Sequence, residues 1–211
     1  MDHLSQAQER CRRYQKAIIP VQGKTNPSGA HPSGASFWAT GLLAENGADP
    51  VIVAPDHDCT DHDHRRWGAG SESASCRLLS NAPKHSVILD VPRSVRLLED
   101  VEPISEDECK PPPEQAAEVF MLGFSGPRGE GSTQVRQAIV STTNDDFICL
   151  DSFTVQGTSG GPVWEAASGR LIGTIEMLYK TTVVWDDETV FETPQGLTGA
   201  APVEDWTQVI W

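Results

Sequence analysis

Apolar residues along this chain come in short runs separated by stretches rich in Gly, Pro, Ser and Asn, a pattern that predicts buried strands joined by loops. In the first half the runs fall at 17–21, 35–40, 49–54, 76–79 and 85–91; in the second they fall at 119–124, 135–141, 147–150 and 170–176. Residues 181–185 and 189–191 flank Asp186 and Asp187 as a hairpin. Helical spacing occurs at the two ends alone. Leu4, Ala7, Cys11 and Tyr14 line one face of a helix over 4–16, and Val203, Trp206, Val209 and Ile210 do so over 203–211. Residues 23–34 form a Gly/Pro-rich loop, and the acidic stretch 99–114 ends in three prolines that stiffen it as a connector. The expectation is an all-β chain in two halves, 17–105 and 119–195, joined by a connector over 106–118 and closed by the terminal helix.

One loop carries chemistry. Gln156-Gly157-Thr158-Ser159-Gly160-Gly161-Pro162 sets a single serine among glycines between the apolar run 147–150 and Val163-Trp164. Glycines allow backbone conformations and close approaches that other residues refuse, so such a turn can present a hydroxyl and backbone N–H groups to one small volume. Acyl transfer needs that pairing of a nucleophile with donors for a developing oxyanion.

Composition narrows the partners. A formal charge of −14, from sixteen basic and thirty acidic residues, disfavours nucleic acid and anionic membrane surfaces as partners. No run is long enough to cross a membrane as a helix, and no apolar segment precedes a cleavage-like site near Met1. Five cysteines at irregular spacing are an odd number without a paired CxxC, so reduced thiols and a cytoplasmic, intracellular setting are expected. The cluster Asp61-His62-Asp63-His64 offers metal-ligand types. Adjacent residues cannot all turn to one side of a strand or helix, so a solvated loop is the expectation and no metal or cofactor is called for.

The Gly-x-Ser-Gly-Gly-Pro loop closely resembles the nucleophile loop of the chymotrypsin-like (trypsin-fold) serine proteases. That resemblance covers roughly residues 17–195 and implies two six-stranded-type antiparallel barrels with short terminal helices. It further implies a single peptidase domain over 1–211, acting on polypeptide substrates. Its catalytic order of His, Asp, Ser puts His57, which follows the apolar strand 49–54, in the place of the general base, and Ser159 in that of the nucleophile. The oxyanion hole implied is the backbone N–H pair of Gly157 and Ser159. Where the family has its acid opening an apolar segment, this chain has His85 before Ser86-Val87-Ile88-Leu89. A neutral imidazole can fix the tautomer of its neighbour but brings no negative charge. Asp90 is a second candidate for that place, and Asp56 and Asp58 lie close to His57 in sequence.

The same resemblance points to a specificity pocket. Six positions before the serine, where trypsin-like members carry an acid, stands Phe153, followed by Thr154. The pocket wall corresponds to Glu176-Met177-Leu178, bulky enough to imply a shallow or partly filled pocket. Alternation leaves open whether Glu176 turns into it. Trypsin-like zymogens also seat a freed N-terminal amine on an Asp just before the serine, and here that residue is Thr158. The departure at the acid keeps a second reading in play: a degenerate protease that binds peptides or a regulatory protein partner. A third, a β-rich metal-binding protein built on 57–64, needs ligands the rest of the sequence does not supply.

Overall fold

The computed structural model describes residues 3–25, 36–47, 49–56, 65–69, 74–82, 86–93, 102–125, 133–184 and 190–211. A helix, α1 (His3–Gln15), precedes seven strands: β1 (Ile18–Thr25), β2 (Ser36–Ala44), β3 (Val51–Pro55), β4 (Arg65–Ala69), β5 (Ala74–Cys76), β6 (Leu78–Asn81) and β7 (Ser86–Asp90). They form one antiparallel sheet in the order β5-β4-β1-β2-β3-β7-β6. After the connector come β8 (Glu118–Phe124), β9 (Thr133–Thr143), β10 (Ile148–Leu150), β11 (Pro162–Glu165), β12 (Leu171–Val184) and β13 (Val190–Pro202). These six close into a barrel, β10-β13-β12-β11-β8-β9, and α2 (Glu204–Ile210) follows.

The expected all-β architecture of two antiparallel halves with short terminal helices is therefore present. Among the described residues the second half closes as a barrel, while the first is a seven-stranded sheet. Two local expectations change. Arg65–Ala69, inside the polar stretch expected as loop, is a strand, because its backbone pairs with β1 from Val21↔Ala69 to Thr25↔Arg65. The separate runs 170–176 and 181–185 are one fourteen-residue strand, β12, because β13 pairs along it from Gly173↔Pro202 to Val184↔Val190.

Three apolar cores explain why the strands pack as they do. Ile19, Val21, Leu43, Ile52, Ala54, Val87 and Leu89 fill the inner face of the first sheet. Val119, Met121, Val140, Ile148, Leu150, Val163, Ile172, Ile175 and Ala200 fill the barrel. The third core is the seam between the halves, where Leu42, Val51, Val53 and Ile88 of the sheet meet Leu122, Trp164 and Leu171 of the barrel. Successive strand residues point to opposite faces. In β3, Val51 and Val53 thus face the seam while Ile52 and Ala54 face the sheet core, which is why this strand is apolar throughout.

Both helices brace that seam. Tyr14 of α1 stacks on Trp164 with ring centroids 4.7 Å apart, and its hydroxyl donates to the Gly169 carbonyl at 2.9 Å. Arg13 holds the connector: its Nε and Nη2 donate to the two carboxylate oxygens of Glu108 at 2.9 and 2.6 Å, the two-pronged geometry that suits guanidinium to carboxylate. The connector itself carries a single 3-10 turn over Glu106–Glu108 and runs parallel past Ala44 and Leu171 at Ile104 and Cys109. Cys11, Cys76, Cys109 and Cys149 are free thiols. No helix among the described residues is long and apolar enough to cross a membrane.

Candidate active site

The serine loop sits where the two halves touch, and its shape follows from the glycines around it. Gly157 and Gly160 have φ of +96° and +84°, backbone settings that L side chains rarely adopt. Gly160 is also pressed against the first sheet. A Cβ there would lie 1.9 Å from the Thr40 carbonyl oxygen and 2.6 Å from Cδ of Pro55. No side chain fits.

Hydrogen bonds lock the loop from three directions. From the first sheet, the Thr40 N–H donates to the Ser159 carbonyl at 2.7 Å, and the Thr40 hydroxyl donates to the Gly157 carbonyl at 2.9 Å while accepting from the Phe124 N–H at 2.9 Å. From within the loop, the Thr158 N–H and hydroxyl both donate to the Val155 carbonyl, at 3.2 and 2.7 Å, and the Gly161 N–H donates to the Thr158 carbonyl at 2.9 Å. From β12, the Ile175 carbonyl accepts from the Gly160 N–H at 2.5 Å, and the Ile175 N–H donates to the Gly161 carbonyl at 2.8 Å.

The result is an alternation with chemical meaning. The N–H groups of 158, 160 and 161 are all committed, whereas among the described residues those of Gly157 and Ser159 meet no acceptor. Buried backbone donors are almost always paired, so two unspent ones beside a serine leave room for an acceptor supplied from outside. Ser159 is itself half-buried, and its hydroxyl has no protein partner among the described residues. Among the described thiols, burial pushes Cys76 and Cys109 up to about 12 and raises Cys11 and Cys149 above their ordinary value, which disfavours the nucleophilic thiolate.

The other residues singled out in the sequence divide into three groups. His57, His85 and Asp58 lie outside the described residues, as does the 61–64 cluster. The described strands nonetheless bracket the two histidines in the chain: Pro55, two residues before His57, pairs with Ser86, the residue after His85. Asp90 belongs to the opposite end of that pairing, against Val51, roughly 13 Å along the strand from Ser86. There its carboxylate accepts from the Arg77 N–H at 2.5 Å and faces the Arg77 guanidinium at 3.7 Å. Asp90 is thus engaged away from the serine loop. Asp56, at the end of β3, is half-buried.

At the barrel mouth, Phe153 is 41% exposed and its ring centre lies 5.9 Å from the Arg136 guanidinium carbon. Thr154 is buried beside Thr198, whose hydroxyl donates to the Ser152 carbonyl at 2.8 Å and lies 3.2 Å from that of Thr154. Arg136, Thr154, Thr158 and Ile175 line a tight crevice there, and of the residues expected to form the specificity pocket only Thr154 is among its lining. Met177 lies in β12 with its backbone opposite Gly199. Glu176 does not line the crevice. It is 6% exposed and stands at a β-bulge, since Ile175 pairs with Ala200 and Met177 with Gly199.

Two contributors escaped sequence reasoning. Thr40 and Pro55 act on the serine loop from the first sheet, and neither belongs to a motif; a threonine inside an apolar strand run is the only sign Thr40 gives.

Residues 87–173, from β7 to the start of β12 and including the serine loop, match the family model of the trypsin-like peptidase domain. No curated protein matches the chain. The match and the two-part antiparallel architecture support a chymotrypsin-like serine protease family and, with it, a peptidase role on polypeptide substrates.

Proposed function

We propose, from the premise of that chymotrypsin-like family, that this chain is a serine endopeptidase working through an acyl-enzyme on Ser159. The observation that carries the reading is the alternation of spent and unspent N–H groups around Ser159. In the proposed sequence, His57 accepts the Ser159 proton as Oγ attacks the peptide carbonyl carbon. The carbonyl oxygen, now negative, takes hydrogen bonds from the N–H groups of Gly157 and Ser159. The imidazolium returns the proton to the leaving amine, and water repeats the cycle on the ester. His57 enters this reading from its place in the chain after Pro55, whose ring lies against the position of the absent Gly160 side chain. With Phe153 and Arg136 at the barrel mouth and no carboxylate among the described residues that line the crevice, a neutral P1 side chain suits that wall better than a basic one.

A fluorophosphonate probe tests this. The probe reacts only with an activated serine, so stoichiometric labelling that peptide mapping assigns to Ser159 is expected. A folded protein that stays unlabelled would instead be the pseudoprotease of the second reading, which the histidine at the acid's sequence position favours.

Activation is proposed to need no freed N-terminus. Thr158 stands where zymogens place the receiving Asp, and its buried hydroxyl is committed to Val155. Ile18, moreover, is buried and paired with Leu42 in β1. Full-length protein and protein cut before Ile18 are compared for initial labelling rate; the full-length form is expected to be at least as fast. A large gain on cutting overturns this.

A further inference from the structure

The mechanism above leaves one buried acid unused and one role unfilled. Glu176 lies in the chain directly after Ile175, and Ile175 is bonded through both N–H and carbonyl to the two residues that follow Ser159. Its Cα is therefore one peptide step, about 3.8 Å, from a residue locked to the nucleophile loop. Ile175 itself packs inside the barrel with Met121, Val163 and Ala200, an apolar volume in which a carboxylate would lose its hydration without return. The bulge at Glu176 breaks the register with β13, and bulges re-aim side chains next to active sites.

Outside the barrel at this level is the seam with the first sheet. β12 touches β3 there, and the Pro55 ring reaches Gly160. The alternation that turns Val53 and Ile88 to the seam also carries Pro55 and its partner Ser86 to that side, and Ser86 is 2% exposed. The facing strand pair thus offers the Ser86 hydroxyl on that side, and Asp56 follows Pro55 at the strand end.

We propose that Glu176, supplied by the barrel at its β12 bulge, is the positioning residue that orients His57 and stabilises its cation, in the role for which the family resemblance offers His85. This rests on the reading of Ser159 and His57 as nucleophile and base. A carboxylate here holds the imidazole N–H in the tautomer that frees the other nitrogen for the Ser159 proton, and its charge favours the imidazolium. Acid and nucleophile then share a scaffold, since β12 and the serine loop are hydrogen-bonded to each other.

Fluorophosphonate labelling rates across pH test this, on wild type, Glu176→Gln, His85→Ala and Asp56→Asn, the last two covering the other titratable groups of these strand ends. Glu176→Gln is expected to slow labelling by at least about 100-fold and to lower the midpoint of the pH–rate curve by about one unit. A role in packing alone would leave that midpoint in place. In His85→Ala and Asp56→Asn both the rate loss and the midpoint shift are expected to be smaller than in Glu176→Gln. Wild-type labelling with Glu176→Gln equally fast, or the loss appearing in His85→Ala or Asp56→Asn instead, overturns the assignment. Failure of the folded wild type to label overturns the premise as well, and so separates the two. A measurement on unaltered protein stands beside the variants: His57 titrated by NMR is expected above the ordinary histidine value near 6.5, and a midpoint at or below it counts against a carboxylate partner.

Discussion

Ser159→Ala is expected to lower peptide hydrolysis by about 10⁴-fold or more while leaving thermal stability within roughly 0.5 kcal/mol of wild type. The two halves of that expectation come from different atoms. The Ser159 carbonyl accepts the Thr40 N–H, and alanine keeps that bond. The hydroxyl has no partner among the described residues, so its removal strands no buried group. What disappears is the nucleophile, and with it the acyl-enzyme. The donors of Gly157 and Ser159 remain in place, so residual rate enhancement from them would persist. A purified variant with a wild-type melting curve and wild-type hydrolysis would sink the acyl-enzyme mechanism. A variant that loses both activity and fold would show instead that the hydroxyl is structural.

Gly160→Ala should be the most damaging single substitution to fold and site together. The added methyl meets the Thr40 carbonyl oxygen at 1.9 Å and the Pro55 ring at 2.6 Å, and the φ of +84° disfavours any L residue. Neither neighbour can yield easily. Thr40 is inside β2 with its N–H and hydroxyl tied to Ser159 and Gly157, and Pro55 ends a strand paired with β7. Overpacking and backbone strain of this kind cost about 1–3 kcal/mol each, so a loss of about 3 kcal/mol or more is expected. Relief would come from separating the two halves at the site, so activity should fall further than stability alone explains. Urea unfolding with parallel labelling rates measures both. Wild-type stability would mean that the contact between serine loop and first sheet is looser than described.

The relation of sequence to site is uneven, and the reason is physical. Where a residue's role depends on its immediate neighbours, the string of letters suffices. Gly157, Ser159, Gly160 and Gly161 form a turn whose shape is set by glycine at consecutive positions, and the loop is where it was expected. The alternating and continuous apolar runs likewise foretold the antiparallel strands, since a buried strand needs only a short apolar stretch and a turn at each end. Strand Arg65–Ala69 escaped because its pairing with β1 is a long-range matter that its own polar letters do not announce.

Tertiary structure decided the rest. Thr40 and Pro55 belong to no motif, yet they hold the serine loop because β2 passes it and β3 ends against it. Asp90 reads as a plausible acid by sequence distance from His57; pairing with Val51 sends it to the far end of the strand, into the reach of Arg77. Glu176 reads as pocket wall by position alone. Its burial, the bulge and the two hydrogen bonds of Ile175 to the loop are what set it apart from the crevice lining. Composition and local pattern determined the strands and the serine turn, and the turn is what pointed to acyl transfer. Which side chains come together around the serine was settled by register and by the packing of one half on the other, because those bring together residues that lie far apart in the chain.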